Sequence, residues 1–112
     1  MISRSERLAN EIRHAVAELL IHSAPEECND AMLTVSHVEL TKDLREARIF
    51  VSVYPPDEAL RKRCLAALIS HRGRIRLEIG NKVIMRYVPT IKLFIDDSLD
   101  NVETINTLLR DI

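Results

Sequence analysis

The chain has 112 residues, of which 46% are apolar and 29% are charged, a composition sufficient for the core of one small domain. Only 2 Gly and 4 Pro are present, so helices and strands should account for most of the chain. No apolar run approaches the roughly 18 residues of a membrane span, and residues 1–7 precede no apolar signal core. The sequence therefore predicts a single domain over residues 1–112 that is located in the cytoplasm and makes no contact with a membrane.

A local excess of positive charge occurs in only one part of the chain, although the formal net charge is −1. Residues 1–60 carry 6 basic and 11 acidic side chains, and residues 93–112 carry 1 basic and 5 acidic. Residues 61–92 carry 9 basic side chains and 1 acidic one, a local net charge of +8. A patch of this kind binds polyanions even when the whole protein is slightly acidic, so it predicts contact with nucleic acid.

The first half of the chain predicts a helix followed by a β-hairpin. A capping box at Ser3, followed by apolar residues at helical spacing, predicts an amphipathic helix over residues 4–21. Alternating apolar residues predict strands over residues 33–40 and 47–54. The alternation changes parity at Ser36-His37, which predicts a bulge there. Because a short turn joins the two strands, they should pair with each other.

The second half predicts two further helices with a break between them. Asp57 is expected to begin the first of these helices, after a pair of prolines that ends the preceding strand. Gly73 interrupts the apolar pattern and is taken as the break between the two helices. The second helix of the pair either ends at Gly80 or continues as far as Met85, and the pattern leaves both open.

A third strand and a last helix complete the predicted order of elements. Residues 91–95 alternate as a strand, and Asp97-Ser98 is able to cap a short helix that continues through Leu109. The second and third strands are joined by a long helical crossover, so the sheet should be mixed. The sequence therefore predicts an α+β fold of order αββααβ with a short C-terminal helix, in which helices cover one face of a three-stranded sheet.

Titratable side chains outside the basic stretch give little support for catalysis or metal binding. None of the four histidines has a partner at metal-ligand spacing or lies beside a nucleophile. Cys28 and Cys64 are too few for a zinc site and are expected to be idle thiols in a reducing compartment. Asp96 and Asp97 are able to hold a divalent cation, but without a third carboxylate we favour solvent exposure or helix capping. No cofactor, metal or catalytic residue is therefore expected.

The basic stretch gives the clearest functional hypothesis. Arg72 and Arg76 are one helical turn apart, on a different face from the apolar residues Ile75 and Ile79. The predicted break at Gly73 would place backbone N–H groups of the next helix where a phosphate can bind. Arginine suits phosphate because its planar guanidinium donates paired hydrogen bonds. A solvated helix face is the alternative, but it leaves so local an excess of charge unexplained.

Three stretches of the chain resemble the ribosome-binding factor A family, in the same order and at similar separations. They are Leu33–Leu44 with Ala47–Val53, Gly73–Arg76 with Gly80, and Arg86–Pro89 leading to Phe94–Leu99. The resemblance covers residues 4–111 and implies a type II KH-like fold, which grips nucleic acid at the turn between its two middle helices. In that place the family has an Ala-x-Gly kink, whereas this chain has His71-Arg72-Gly73.

The resemblance also implies a function. Its members are non-enzymatic assembly factors that bind 16S ribosomal RNA on the immature 30S subunit, support processing of the RNA 5′ end, and often matter most in the cold. The residues that we expect to bind RNA are His71, Arg72, Gly73, Arg74, Arg76, Lys82 and Arg86. The partners are then 16S ribosomal RNA and the free 30S subunit or its precursor, bound by a monomer. A protein-interaction domain of the same fold that binds an acidic protein stays the alternative, and a small metabolic enzyme is a third hypothesis.

Overall fold

A computed structural model describes residues 2–96, in which three α-helices and a three-stranded sheet follow one another in the predicted order. The elements are α1 (Arg4–Ser23), a 3-10 turn η1 (Glu26–Cys28), β1 (Met32–Leu40), β2 (Glu46–Tyr54), α2 (Glu58–Ser70), α3 (Arg72–Lys82) and β3 (Thr90–Ile95). The sheet order is β1-β2-β3, antiparallel between β1 and β2 and parallel between β2 and β3. The predicted α+β fold with a mixed sheet is confirmed. The predicted C-terminal helix lies outside the described residues.

Side-chain caps determine where α1 and α2 begin. At the start of α1, Ser3 Oγ accepts a hydrogen bond of 3.2 Å from the N–H of Glu6. Asp57 accepts one of 2.9 Å from the N–H of Leu60 at the start of α2, as the sequence predicted. The described part of the chain contains no helix with the length and apolar character needed to cross a membrane.

The central strand β2 supplies much of the buried face of the sheet. Ala47, Ile49 and Val51 are fully buried, and they belong to one apolar cluster with inward-facing residues of α1, α3 and β3. The predicted bulge in β1 is present, because the register with β2 shifts between Val35 and His37. The opposite edge of the sheet, β3, begins beside the start of β2 and extends in the same direction.

The other face of the sheet carries polar and aromatic side chains. His37, Phe50 and Phe94, one from each strand, form a stacked row in which neighbouring ring centroids are 4.1 and 5.1 Å apart. On the same face, Glu46 accepts a hydrogen bond of 2.8 Å from Arg48 Nε and lies 3.0 Å from Lys92 Nζ. Lys92 and, to a smaller extent, Arg48 lower the pKa of the Glu46 carboxyl, so it remains ionised.

A smaller apolar cluster joins α2 to η1, and the two cysteines lie in it. Cys28 and Cys64 are buried and carry free thiols. Burial raises the pKa of the Cys28 thiol to about 12, which keeps it protonated and unreactive at neutral pH. Arg63 of α2 also holds the chain that follows η1, because its exposed guanidinium donates to both carboxylate oxygens of Asp30 at 2.7 and 2.6 Å.

Truncation of a buried side chain in the central strand should destabilise the fold. We expect Ile49→Ala to lower the free energy of unfolding by about 2–5 kcal/mol, because it leaves a cavity under the sheet. Urea denaturation measures this change. Ile84→Ala is the control, since Ile84 is 96% exposed, and its effect should stay within about 0.5 kcal/mol. Equal losses in both variants would contradict the described core.

Candidate nucleic-acid interface

The break between α2 and α3 falls at His71, and Gly73 lies within the first turn of α3. His71 has φ −93° and ψ 10°, and its N–H donates to the carbonyls of Ala67 and Leu68 at 3.0 and 3.2 Å. Neither Gly73 nor Gly80 has a positive φ. The predicted break at Gly73 is therefore wrong by two residues. The break needs no left-handed glycine, because an ordinary residue adopts the backbone conformation found at His71.

The helix α3 continues through Gly80 and ends at Lys82, two residues beyond the earlier of its predicted ends. A Cβ on Gly80 would lie 3.2 Å from Val88 Cγ2, so the small residue lets the segment after α3 pack closely. Arg76 fastens the same segment, because Nε donates to the carbonyl of Pro89 at 3.3 Å and Nη2 to that of Val88 at 3.0 Å. Arg76 thus holds the fold together as well as carrying charge.

The first turn of α3 offers hydrogen-bond donors to a ligand. No side chain caps it, and its residues Arg72, Gly73 and Arg74 are exposed. Apart from the helix backbone and chain neighbours, no atom lies within 4 Å of the place a Cβ would take on Gly73. The Arg72 guanidinium makes no hydrogen bond or ion pair within residues 2–96. An uncapped helix N-terminus beside an uncommitted arginine attracts anions, phosphate groups among them.

Arg74 connects this turn to α1. Its Nη2 donates a hydrogen bond to the carbonyl of Ser23, the last residue of α1. His71 is partly buried and lines a small cavity with Arg74 at this junction. The break between α2 and α3 is therefore fixed against the C-terminal end of α1, which holds the donors of the first turn in place.

The structure brings together only part of the predicted site. Residues 71–74 surround the break, whereas Lys82 lies at the far end of α3, about 15 Å away at 1.5 Å per residue. Arg86 lies beyond it, in a groove with Arg4 and Arg45 at the N-terminal end of α1. The sequence carries no signal that groups Arg4 and Arg45, because they are 41 residues apart in the acidic part of the chain.

The acidic and metal-ligating side chains contribute no competing site. Within residues 2–96, no three His, Cys, Asp or Glu side chains are grouped so as to hold a metal ion. The backbone N–H of Asp96 donates to the carbonyl of Val51 at 2.8 Å, and Asp97 lies outside the described residues.

The sequence and the fold both match a known protein family. The sequence profile of ribosome-binding factor A matches residues 4–109. The chain belongs to the ribosome-binding factor A family. A ribosome-binding factor A of Clostridium perfringens is 38% identical over 109 residues, which cover 97% of this chain and 94% of the relative.

Solved structures of ribosome-binding factor A share the fold. The crystal structure of the factor from Thermus thermophilus matches with a TM-score of 0.68 at 23% identity, over 82% of this chain and 96% of that one. A homology model of the Thermus thermophilus factor that was fitted into a cryo-EM map of a 30S complex matches with a TM-score of 0.68 at 21% identity, over 85% and 97% of the two chains. The architecture described above is therefore that of the ribosome-binding factor A family.

The position of Gly73 inside a helix predicts the effect of adding a side chain there. We expect Gly73→Ala to be neutral or to stabilise the protein by up to about 1 kcal/mol, because alanine favours helix and meets no obstacle. Thermal or urea unfolding measures this. Gly80→Ala is the comparison, and contact with Val88 should make its gain smaller or turn it into a loss. A marked loss of stability in Gly73→Ala would show that Gly73 does not lie in the helix.

Proposed function

We propose that this chain is a non-enzymatic assembly factor that binds 16S ribosomal RNA on the immature 30S subunit. In this role it supports late maturation and processing of the RNA 5′ end, with particular importance in the cold. It works in the cytoplasm as a single KH-like domain, monomeric and without a cofactor. The observation that carries the proposal is the exposed Arg72 beside the uncapped first turn of α3. Family membership supports it, as does the fitting of a Thermus thermophilus relative into a map of a 30S complex.

The geometry suggests how an RNA phosphate binds at the helix break. Phosphate oxygens accept hydrogen bonds from the N–H groups of the first turn and from the Arg72 guanidinium. Gly73 leaves the backbone accessible, because it places no side chain between the phosphate and the helix. Arg74 and Arg76 hold the surrounding segments through their carbonyl contacts and still contribute positive charge. His71, Lys82 and Arg86 complete the RNA-binding residues that we propose.

An acidic protein partner is the alternative, because carboxylates accept hydrogen bonds from the same donors. Salt weakens the binding of both polyanions, and each neutralised phosphate of a single-stranded nucleic acid contributes about −0.7 to the slope of log affinity against log salt. Competition at one salt concentration therefore distinguishes the two partners. Unlabelled 16S ribosomal RNA should displace labelled RNA far more readily than polyglutamate of equal charge does, and equal displacement would favour the protein partner.

Sedimentation in cell lysate tests the proposed particle. The tagged protein should sediment with free 30S subunits or their precursors in a sucrose gradient, and not with translating ribosomes. Arg72→Ala should shift the protein toward the top of the gradient, because it removes one contact to the RNA. Equal association of the wild-type protein with 50S subunits would contradict the proposal.

Replacement of Arg72 tests the site itself. Three or four phosphate contacts imply a log–log salt slope of about −2 to −3 for small-subunit RNA, and Arg72→Ala should reduce its size by about 0.7–0.9. Arg74 and Arg76 are less suitable, because their replacement also removes contacts to backbone carbonyls. Lys62→Ala is the matched control. Lys62 belongs to the same basic stretch and its side chain is 78% exposed, but it lies on α2 and not in the first turn of α3. If the control reduces the slope equally, binding is diffuse and is not centred on the break.

A further inference from the structure

A second set of arginines lines a groove at the other end of α1 from the helix break. The groove lies between the start of α1, the β1–β2 turn and the segment that leads into β3, and its volume is about 660 Å³. Arg4, Arg45 and Arg86 line it from these three places, and all three are exposed. Their guanidinium groups form no hydrogen bond or ion pair with any residue in the described range 2–96. Three uncommitted cations thus face one open space.

The acidic residue at this groove does not neutralise the three arginines. Asp43 accepts hydrogen bonds from Thr41 Oγ1 at 2.7 Å and from the backbone N–H of Arg45 at 3.1 Å. These bonds, led by that of Thr41, lower the pKa of the Asp43 carboxyl. The carboxylate is therefore engaged within its own turn, and three guanidinium groups against one carboxylate leave the groove positive.

Backbone contacts hold the three sides of the groove in a fixed arrangement. The N–H of Thr90 donates to the carbonyl of Arg45 at 2.8 Å, which joins the β1–β2 turn to the start of β3. The segment that carries Arg86 is fastened to α3 by the two hydrogen bonds from Arg76. The spacing of the arginines is thus set by the fold, which reduces the ordering that a ligand must impose.

An exposed aromatic ring adjoins these cations. Tyr87 lines the same groove and is 74% exposed, and the Arg86 guanidinium carbon lies 5.7 Å from the centre of its ring. Surfaces that bind single-stranded nucleic acid combine a positive groove for the backbone with aromatic rings on which bases stack. An acidic peptide would satisfy the arginines but would give the ring no planar partner.

We propose that this groove binds a single-stranded segment of RNA, with its phosphates on Arg4, Arg45 and Arg86 and a base stacked on Tyr87. The proposal rests on the proposed function and adds a second contact to it. Arg74 is hydrogen-bonded to Ser23, and Arg4 lies 19 positions before Ser23 in α1, so the two contacts lie about 28 Å apart at 1.5 Å per residue. RNA that reaches both binds more tightly than RNA that reaches either alone.

Tyrosine fluorescence provides a direct test, because the chain has 2 Tyr and no Trp. In Tyr54→Phe, a change on the exposed surface of β2, Tyr87 becomes the sole fluorophore. A uridine octamer should then quench the emission in a saturable manner, since stacking brings a base onto the Tyr87 ring. Arg4→Ala and Arg45→Ala should each weaken the quenching, whereas Arg7→Ala, an exposed change on the same helix outside the groove, should not.

Affinity for the labelled octamer separates stacking from charge. Tyr87→Ala should weaken binding about 5- to 150-fold, the range expected for one stacked base, and Tyr87→Phe should stay close to wild type. Arg4→Ala and Arg45→Ala should each reduce the size of the salt slope by about 0.7. Arg72→Ala should leave the Tyr87 quenching intact, because it alters only the contact at the helix break.

The failure of this proposal differs from the failure of the proposed function. If the octamer leaves Tyr87 emission unchanged while Arg72→Ala still weakens binding to 16S ribosomal RNA, the groove proposal is wrong and the function stands. If polyglutamate displaces the labelled octamer as readily as unlabelled octamer does, the groove binds acidic peptide and the RNA proposal is wrong. If the wild-type chain binds neither 16S ribosomal RNA nor the octamer, both fail.

Discussion

The parallel pairing of β2 with β3 is the constraint on which the rest of the structure depends. Parallel neighbours start at the same end of a sheet, so the chain must return along the whole length of β2 before β3 begins. Two helices carry the chain back. The first, α2, packs against η1 and β3, and the second, α3, packs beside α1. The break between them falls at His71. The uncapped first turn of α3 is therefore placed on the surface by the same topology that buries Ile49.

The fold divides the arginines of one basic stretch into two kinds. Arg63, Arg74 and Arg76 donate to carboxylate or carbonyl groups and hold neighbouring segments together. Arg72 and Arg86 have no hydrogen bond or ion pair within the range that the structure describes. Both kinds contribute to the positive field, but only the second has all of its guanidinium N–H groups available to a ligand. A charge count along the chain treats them alike.

Features that depend on local side-chain spacing were predicted from the sequence, and features that depend on distant contacts were not. The alternation in β1 and β2, with its change of parity at Ser36, predicted both strands and the bulge, because each follows from the two-residue period of one strand. The break was wrongly predicted at Gly73, because glycine disfavours helix on average. The turn at His71 requires no glycine, since no glycine in the described residues has a positive φ. Arg4 and Arg45 meet Arg86 only through tertiary structure, and no local pattern signals such a meeting.

The bulge in β1 also bears on how the sheet meets other chains. β1 forms one edge of the sheet, and an edge strand presents backbone groups to which another strand can add. The bulge interrupts the regular spacing of that edge between Val35 and His37, and Ser36 Oγ donates to the carbonyl of Phe50 at 3.1 Å. An incoming strand finds no continuous register across this point, so the irregularity protects the protein against edge-to-edge aggregation.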